Sequence, residues 1–338
     1  HLEQNGTFFS CGQAYQRSSP DTIYTPENIV TELLALAEDT RPEDAYHAKL
    51  NIFAAYAMMD IGVFENLRLI GGARIERTDQ VLDPYSQFGT GSDPKGASLE
   101  KTDVLPSIAL AFSATKKTKL RVSVARTLAR PQLRELAPFS YAQFLDAVPF
   151  AGNPDLKITY ITNYDTRFEF YPTLREVLAL SFFYKTFEDP IENVIIASGS
   201  SGLIQPTNTP GATLVGLELE TRKSLEFLAQ RMKDFSLIAN LTLARSQIEI
   251  EKDSLNLATS TQRPMINQAP YVVNVALDYN NEDLGLGVRA LYNVAGRRLV
   301  EVGSTGIPDS YQQPQHLVDL TVSEDFAVHF SVKLSATN

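Results

Sequence analysis

The sequence predicts an all-β protein, the wall of an antiparallel transmembrane β-barrel, and three observations carry that reading. Apolar residues recur at alternate positions in about a dozen separate runs, the period of a strand with one greasy side. The residues between them are small or mixed polar, which suits a lumen but would also serve the solvated face of a soluble sandwich. Short connections alternate strictly with long ones, and this separates the two. Outer-membrane barrels have tight turns on one rim and extended loops on the other, whereas a Greek-key sandwich mixes the lengths and seldom tolerates several loops above about 12 to 15 residues.

Taken in order, residues 1–43 form a long connection holding one helical segment, TPENIVTELLALAED. Thr25 is its N-cap, Pro26 its first helical residue and Glu27 its early acid, so a short helix is predicted near 26–38. The first strand face is Leu50, Ile52, Ala54, Tyr56 and Met58, followed by Leu67, Leu69, Ala73 and Ile75. Ile108, Leu110 and Phe112 then pair across the basic turn Lys116-Lys117 with Leu120, Val122 and Val124. Next come Tyr164, Phe168 and Phe170; Leu178, Leu180, Phe182 and Tyr184; Leu217 and Leu219; and Phe235, Leu237, Leu241 and Leu243. The last four runs hold Tyr271 to Tyr279, Leu284 to Tyr292, Val318 to Val322, and Phe326 to Leu334. Between the apolar positions stand Asn163, Asp165, Arg167 and Glu169, then Glu218, Glu220 and Arg222, then Asn274, Asp278, Arg289 and Asn293.

The short turns are GVFEN, ATKKT, YPTLREV, AQRMKD, NNED and SEDF. They alternate with long segments at 77–103, 127–162, 187–212, 247–269 and 297–315. A mean hydropathy of −0.13 agrees with a barrel, since only every second residue of its strands must be apolar.

Composition excludes several function classes. The formal charge is −10 and no basic run exceeds two residues, so a nucleic-acid partner is not expected. Cys11 is the only cysteine, which removes a disulfide framework and a cysteine-rich zinc site. The histidines His1, His47, His316 and His329 lack metal-ligand spacing, and His47 and His329 read as lumen residues. No catalytic constellation, cofactor motif or metal site is indicated, and the protein does not read as an enzyme. FGTGSDPKG is flanked by strands instead of opening a helix, so it is an ordinary loop and not a phosphate cradle, and SGSSG is a loop tip. No apolar run is long enough for a transmembrane helix and no signal peptide is present; the chain opens on His1 and reads as a piece of a longer, processed protein.

The most specific segments are LPSIALAF (105–112), RVSVARTLARPQLRELAPF (121–139), AGNPDLK (151–157), NYDTRFEFYP (163–172) and LALSFFYKTFEDPIE (178–192). Physically, Arg130-Pro131 stops a strand, because proline cannot donate to the ladder. GNPDL is turn chemistry, with Gly152 and Asn153 tolerant of positive φ. In this order the segments resemble the C-terminal barrel of TonB-dependent outer-membrane receptors, as do GVRALYNVAGRR and the closing VDLTVSEDFAVHFSVKLSATN. The resemblance spans roughly 44–338.

The resemblance implies a barrel of about 22 strands, of which residues 1–338 would supply about 12. The N-terminal plug, the TonB box and an aromatic-ended last strand would lie outside this chain. It further implies a bacterial outer-membrane location and active uptake of a scarce nutrient such as a ferric siderophore, cobalamin or an oligosaccharide. The implied partners are outer-membrane lipid, the plug of the same full-length chain, TonB and the small-molecule ligand. A passive porin-like channel, a surface adhesin and a soluble all-β binding module remain the other readings. Loop 127–162 joins charges to the aromatics Phe139, Tyr141, Phe144 and Phe150, a mixture that suits a bulky polar ligand. Arg130, Arg134, Tyr141, Asn153 and Asp155 are the expected ligand-binding residues, against a plainer role of packing the loop.

Overall fold

The computed structural model describes residues 2–4, 7–9, 45–85, 95–141, 148–198, 201–250, 260, 262–304, 307–326 and 330–338. The helix expected near 26–38, Cys11, most of the glycine-rich loop, Phe144 and His329 lie outside these residues. The chain divides into two compact units, His1–Pro42 and Glu43–Asn338. In the first, β1 (Leu2–Gln4) pairs antiparallel with β2 (Thr7–Phe9).

The second unit is built on long strands, beginning with β3 (Tyr46–Phe64), β4 (Leu67–Pro84), β5 (Ala97–Thr115) and β6 (Thr118–Ala129). A loop follows with α1 (Leu133–Leu136), β7 (Ser140–Tyr141) and β8 (Phe150–Ala151), and the wall resumes with β9 (Thr159–Phe170) and β10 (Val177–Glu188). Above it stands the hairpin β11 (Ile191–Ser198) and β12 (Ser201–Asn208), and then come β13 (Gly211–Ser224), β14 (Phe235–Glu249) and the short β15 (Gln262–Arg263). The remainder is β16 (Tyr271–Asn281), β17 (Leu286–Ala295), β18 (Arg298–Glu301), β19 (Ser310–Gln312), β20 (Gln315–Phe326) and β21 (Phe330–Thr337). Twelve of these form one antiparallel sheet in the order β3-β4-β5-β6-β9-β10-β13-β14-β16-β17-β20-β21, open between β3 and β21. Among the described residues no helix is long and apolar enough to cross a membrane.

Register sorts the side chains onto two faces, because directly opposed residues point the same way. Leu69, Leu110, Val122, Thr166, Phe182, Leu217 and Leu243 stand in one cross-strand row on the outer face. Their exposure is high: Leu110 44%, Phe182 46% and Leu217 46%, so the sheet presents a greasy band that is uncovered among the described residues. The inner face holds charges paired with one another, with Arg121 Nη1 3.0 Å from Glu169, Arg167 Nη2 2.6 Å from Glu220 and Arg289 Nη2 2.7 Å from Asp278. This is the lipid-out, polar-in alternation of a barrel wall.

Four expectations need correction. In β3, Leu50, Ile52 and Tyr56 oppose Gln80, Thr78 and Arg74 and so face the lumen, not lipid. The outer face of β3 is Phe53, Ala55, Ala57, Met59 and Ile61, which makes this strand apolar on both sides. His47 opposes Asp83 on the outer face and stacks 4.7 Å from Tyr85, so it is not a lumen residue. The turn read at SEDF lies inside β20, and the chain reverses after Phe326. Strands also run further into the loops than alternation alone suggested, β4 to Pro84 and β5 from Ala97, because their upper halves interleave polar groups that the loops bury. On the short-turn rim Gly285 adopts φ 64°, and a Cβ there would sit 2.3 Å from the Asp325 carbonyl, so this turn needs glycine twice over.

Candidate functional site

The long-connection rim is built upward from the end of β6. Pro131 ends the ladder, and the following turn is capped by the Gln132 N–H donating to Glu135 Oε2 at 2.8 Å. Segment 130–137 then crosses the inner side of β4. Arg130 Nε donates to Thr78 Oγ1 at 2.8 Å, its Nη2 pairs with Glu76, and Gln80 Nε2 donates to the Pro131 carbonyl at 2.9 Å. Leu136, Ala137 and Leu156 close over Leu82 and Ala97, with Tyr46, Phe139 and Ile191 packed against them.

On this base lies a row of four rings. Tyr46 stacks on Phe139 at 5.9 Å, Phe139 meets Tyr141 at 5.5 Å, and Tyr141 meets Phe150 at 5.3 Å. The Arg134 guanidinium lies over Tyr141 with Cζ 3.9 Å from the ring centroid, and among the described residues it has no carboxylate partner. Behind the row, Asn153 accepts from the Asp155 N–H at 3.0 Å and donates to the Pro206 carbonyl at 3.1 Å, while Asp155 pairs with Lys95 at 2.5 Å. Gly152 has no positive φ, contrary to the turn reading. Its need for glycine is space, since a Cβ would meet the Ala137 carbonyl at 2.1 Å.

A hairpin inside the long connection 187–212 ties the rim together. β11–β12 meets the first loop through the Ile204 N–H, which donates to the Pro149 carbonyl at 2.8 Å. It meets the connection before β16 through a buried pair, Arg263 Nη1 to Glu192 Oε2 at 2.9 Å, with side chains 3% and 5% exposed. Glu192 Oε1 also accepts from the Ile266 N–H at 3.3 Å. Burial pushes the Glu192 carboxyl above its ordinary range, although Arg263 pulls the other way. Ile195, Leu299 and Val302 complete the junction with the loop before β20.

Of the five expected residues, the structure brings Arg134 onto Tyr141 and places Asn153 and Asp155 in one turn. Arg130 is committed to Glu76 and Thr78, so it braces the site from below. Tyr46, Lys95 and the β11–β12 hairpin escaped the sequence reading. The β-branched run in NVIIA was the available signal for the hairpin.

A family model described as "TonB dependent receptor-like, beta-barrel" matches residues 2–338. A search of curated proteins finds no match. Among solved structures, the ferric enterobactin receptor PfeA of Pseudomonas aeruginosa is similar with TM-score 0.55 at 17% identity, over 86% of this chain and 48% of that one. The ferric-catecholate import receptor Fiu of E. coli K12 has TM-score 0.62 at 12% identity, over 87% of this chain and 41% of that one. The copper transporter OprC has TM-score 0.62 at 18% identity, over 86% and 42%. The chain thus spans less than half the length of these solved structures.

Proposed function

The chain belongs to the TonB-dependent receptor β-barrel family, and from that premise we propose that it supplies lumen wall and extracellular rim to an outer-membrane receptor for a scarce nutrient, energised through TonB. The lipid-out band is its membrane contact, and the plug and the TonB-coupled segment belong to other parts of the receptor. The observation that carries ligand capture is the Arg134 guanidinium lying over a row of aromatic rings. A cation without a carboxylate partner draws anions locally, against the field of a chain whose net charge is −10. The adjoining rings offer flat area to a planar or aromatic body. A ferric siderophore with anionic aromatic arms fits this surface better than cobalamin or an oligosaccharide. Asn153 and Asp155 flank it as polar contacts, and Arg130 holds its floor.

The test uses the full-length receptor in cells lacking other iron receptors, with radiolabelled ferric enterobactin as probe. Uptake is expected to require TonB and to fall roughly tenfold with Arg134→Ala or Tyr141→Ala, the scale of losing one charge-assisted or aromatic contact to the ligand. Uptake that persists without TonB identifies a passive channel instead. Unchanged uptake in both variants makes the ring row loop packing only.

A further inference from the structure

The inner face of the wall carries a second concave feature, remote in sequence from loop 127–162. Between β13, β14, β16 and β17 lies a cavity of about 240 Å³. Its floor is a cross-strand row in which Arg222 opposes Ile238, Ile238 opposes Ala276 and Ala276 opposes Leu291. One cation therefore stands at the end of three apolar side chains. The next row holds Asn240 opposite Asn274.

Arg222 differs from its neighbours. Arg121, Arg167 and Arg289 each meet a carboxylate, and Glu220, the nearest acid on Arg222's own strand face, is held by Arg167 at 2.6 Å. Among the described residues Arg222 has no ion pair or side-chain hydrogen bond. The Asn240 amide is likewise free, and Asn274 uses Oδ1 to accept from Asn293 at 2.5 Å, which leaves its Nδ2 as a donor. Arg289 spends its fork on Asp278 and adds only field.

We propose that this cavity is a binding subsite for a small monocarboxylate with a short apolar or aromatic body. The carboxylate accepts from Arg222 and the two asparagine amides, and the body lies on Ile238, Ala276 and Leu291. A single uncompensated charge matches one negative charge, and the apolar floor disfavours a bare inorganic anion. The inference goes beyond the uptake reading and does not depend on which nutrient the rim takes.

The experiment titrates full-length receptor in a neutral detergent with 4-fluorobenzoate, followed by its fluorine NMR linewidth. Saturable broadening is expected, weakened about tenfold by Arg222→Gln, the loss of one charge-assisted contact, and largely kept by Arg222→Lys. Arg222 is exposed and bonds nothing, so Arg222→Gln leaves the fold intact. Leu291→Asn is expected to weaken 4-fluorobenzoate while sparing trifluoroacetate, which lacks the body. No saturable binding to the wild type overturns the proposal, including the case where a carboxylate of the receptor's own polypeptide holds Arg222. Equal binding by wild type and Arg222→Gln overturns it as well.

Discussion

Gly152 shows how a residue can be read correctly for the wrong reason. GNPDL marks a turn in the sequence, but the constraint on Gly152 is the Ala137 carbonyl, contributed by a segment fifteen residues earlier and visible only once the loop is folded. Gly152→Ala is expected to destabilise the receptor by about 1 to 3 kcal/mol through overpacking, checked as a lowered melting temperature in detergent. At Leu217 and Glu218 the sequence was sufficient, since alternation alone put them on opposite faces. Leu217→Arg is expected to cost about 2 to 4 kcal/mol in lipid vesicles, and Glu218→Arg far less. Both side chains are open in the bare sheet, so a soluble sheet would treat the two alike; equal costs in a urea titration would remove the membrane reading. Arg134 and Tyr141 were legible as types suited to recognition, but their stacking was not, because it depends on a turn that brings residues of one loop face to face.

Strands were legible because period two is a property of the strand itself, but faces are a property of pairs. In β3 both parities are apolar, so the sequence offered no choice of side until the register with β4 made it. The β11–β12 hairpin was hidden for a related reason: its apolar residues, Ile191, Val194, Ile195 and Ile196, fall on both parities of a short strand, and Ile191 and Ile195 pack against other loops. Its anchor is Glu192 with Arg263. Arg263→Leu leaves a buried carboxylate unpaired and is expected to cost about 3 to 5 kcal/mol of local stability, read as lost amide-exchange protection across β11 and β12. The pair also sets a pH dependence. With the closed-loop pKa of Glu192 above its open-loop value, the open state releases its proton first as pH rises. Protection, corrected for intrinsic exchange, is therefore expected to be greatest in mild acid and to fall as pH rises through the ordinary glutamate range and above. Glu192→Gln should flatten that dependence; an unchanged slope in Glu192→Gln would assign it elsewhere.

The whole architecture was carried by connection lengths more than by any motif. Short turns at Glu65-Asn66, Lys116-Lys117 and 282–285 share one rim, and within Glu43–Asn338 the small sheets and apolar clusters described for the loops share the other. In the intact receptor, an epitope inserted between β11 and β12 is expected to be reached by antibody on living cells, and one after Asn281 to stay hidden; the reverse pattern would invert the topology. The two-sided greasiness of β3 has a consequence of another kind, felt before the barrel exists. Nineteen residues with apolar groups on both faces form a template on which like strands can stack indefinitely. A peptide of Tyr46–Phe64 should form thioflavin-binding fibrils, and replacing Phe53 and Tyr56 with lysine should prevent it. The polypeptide must then reach the membrane with this strand shielded, and the rate of amyloid-like self-association by β3 sets how long an unassembled receptor survives in water.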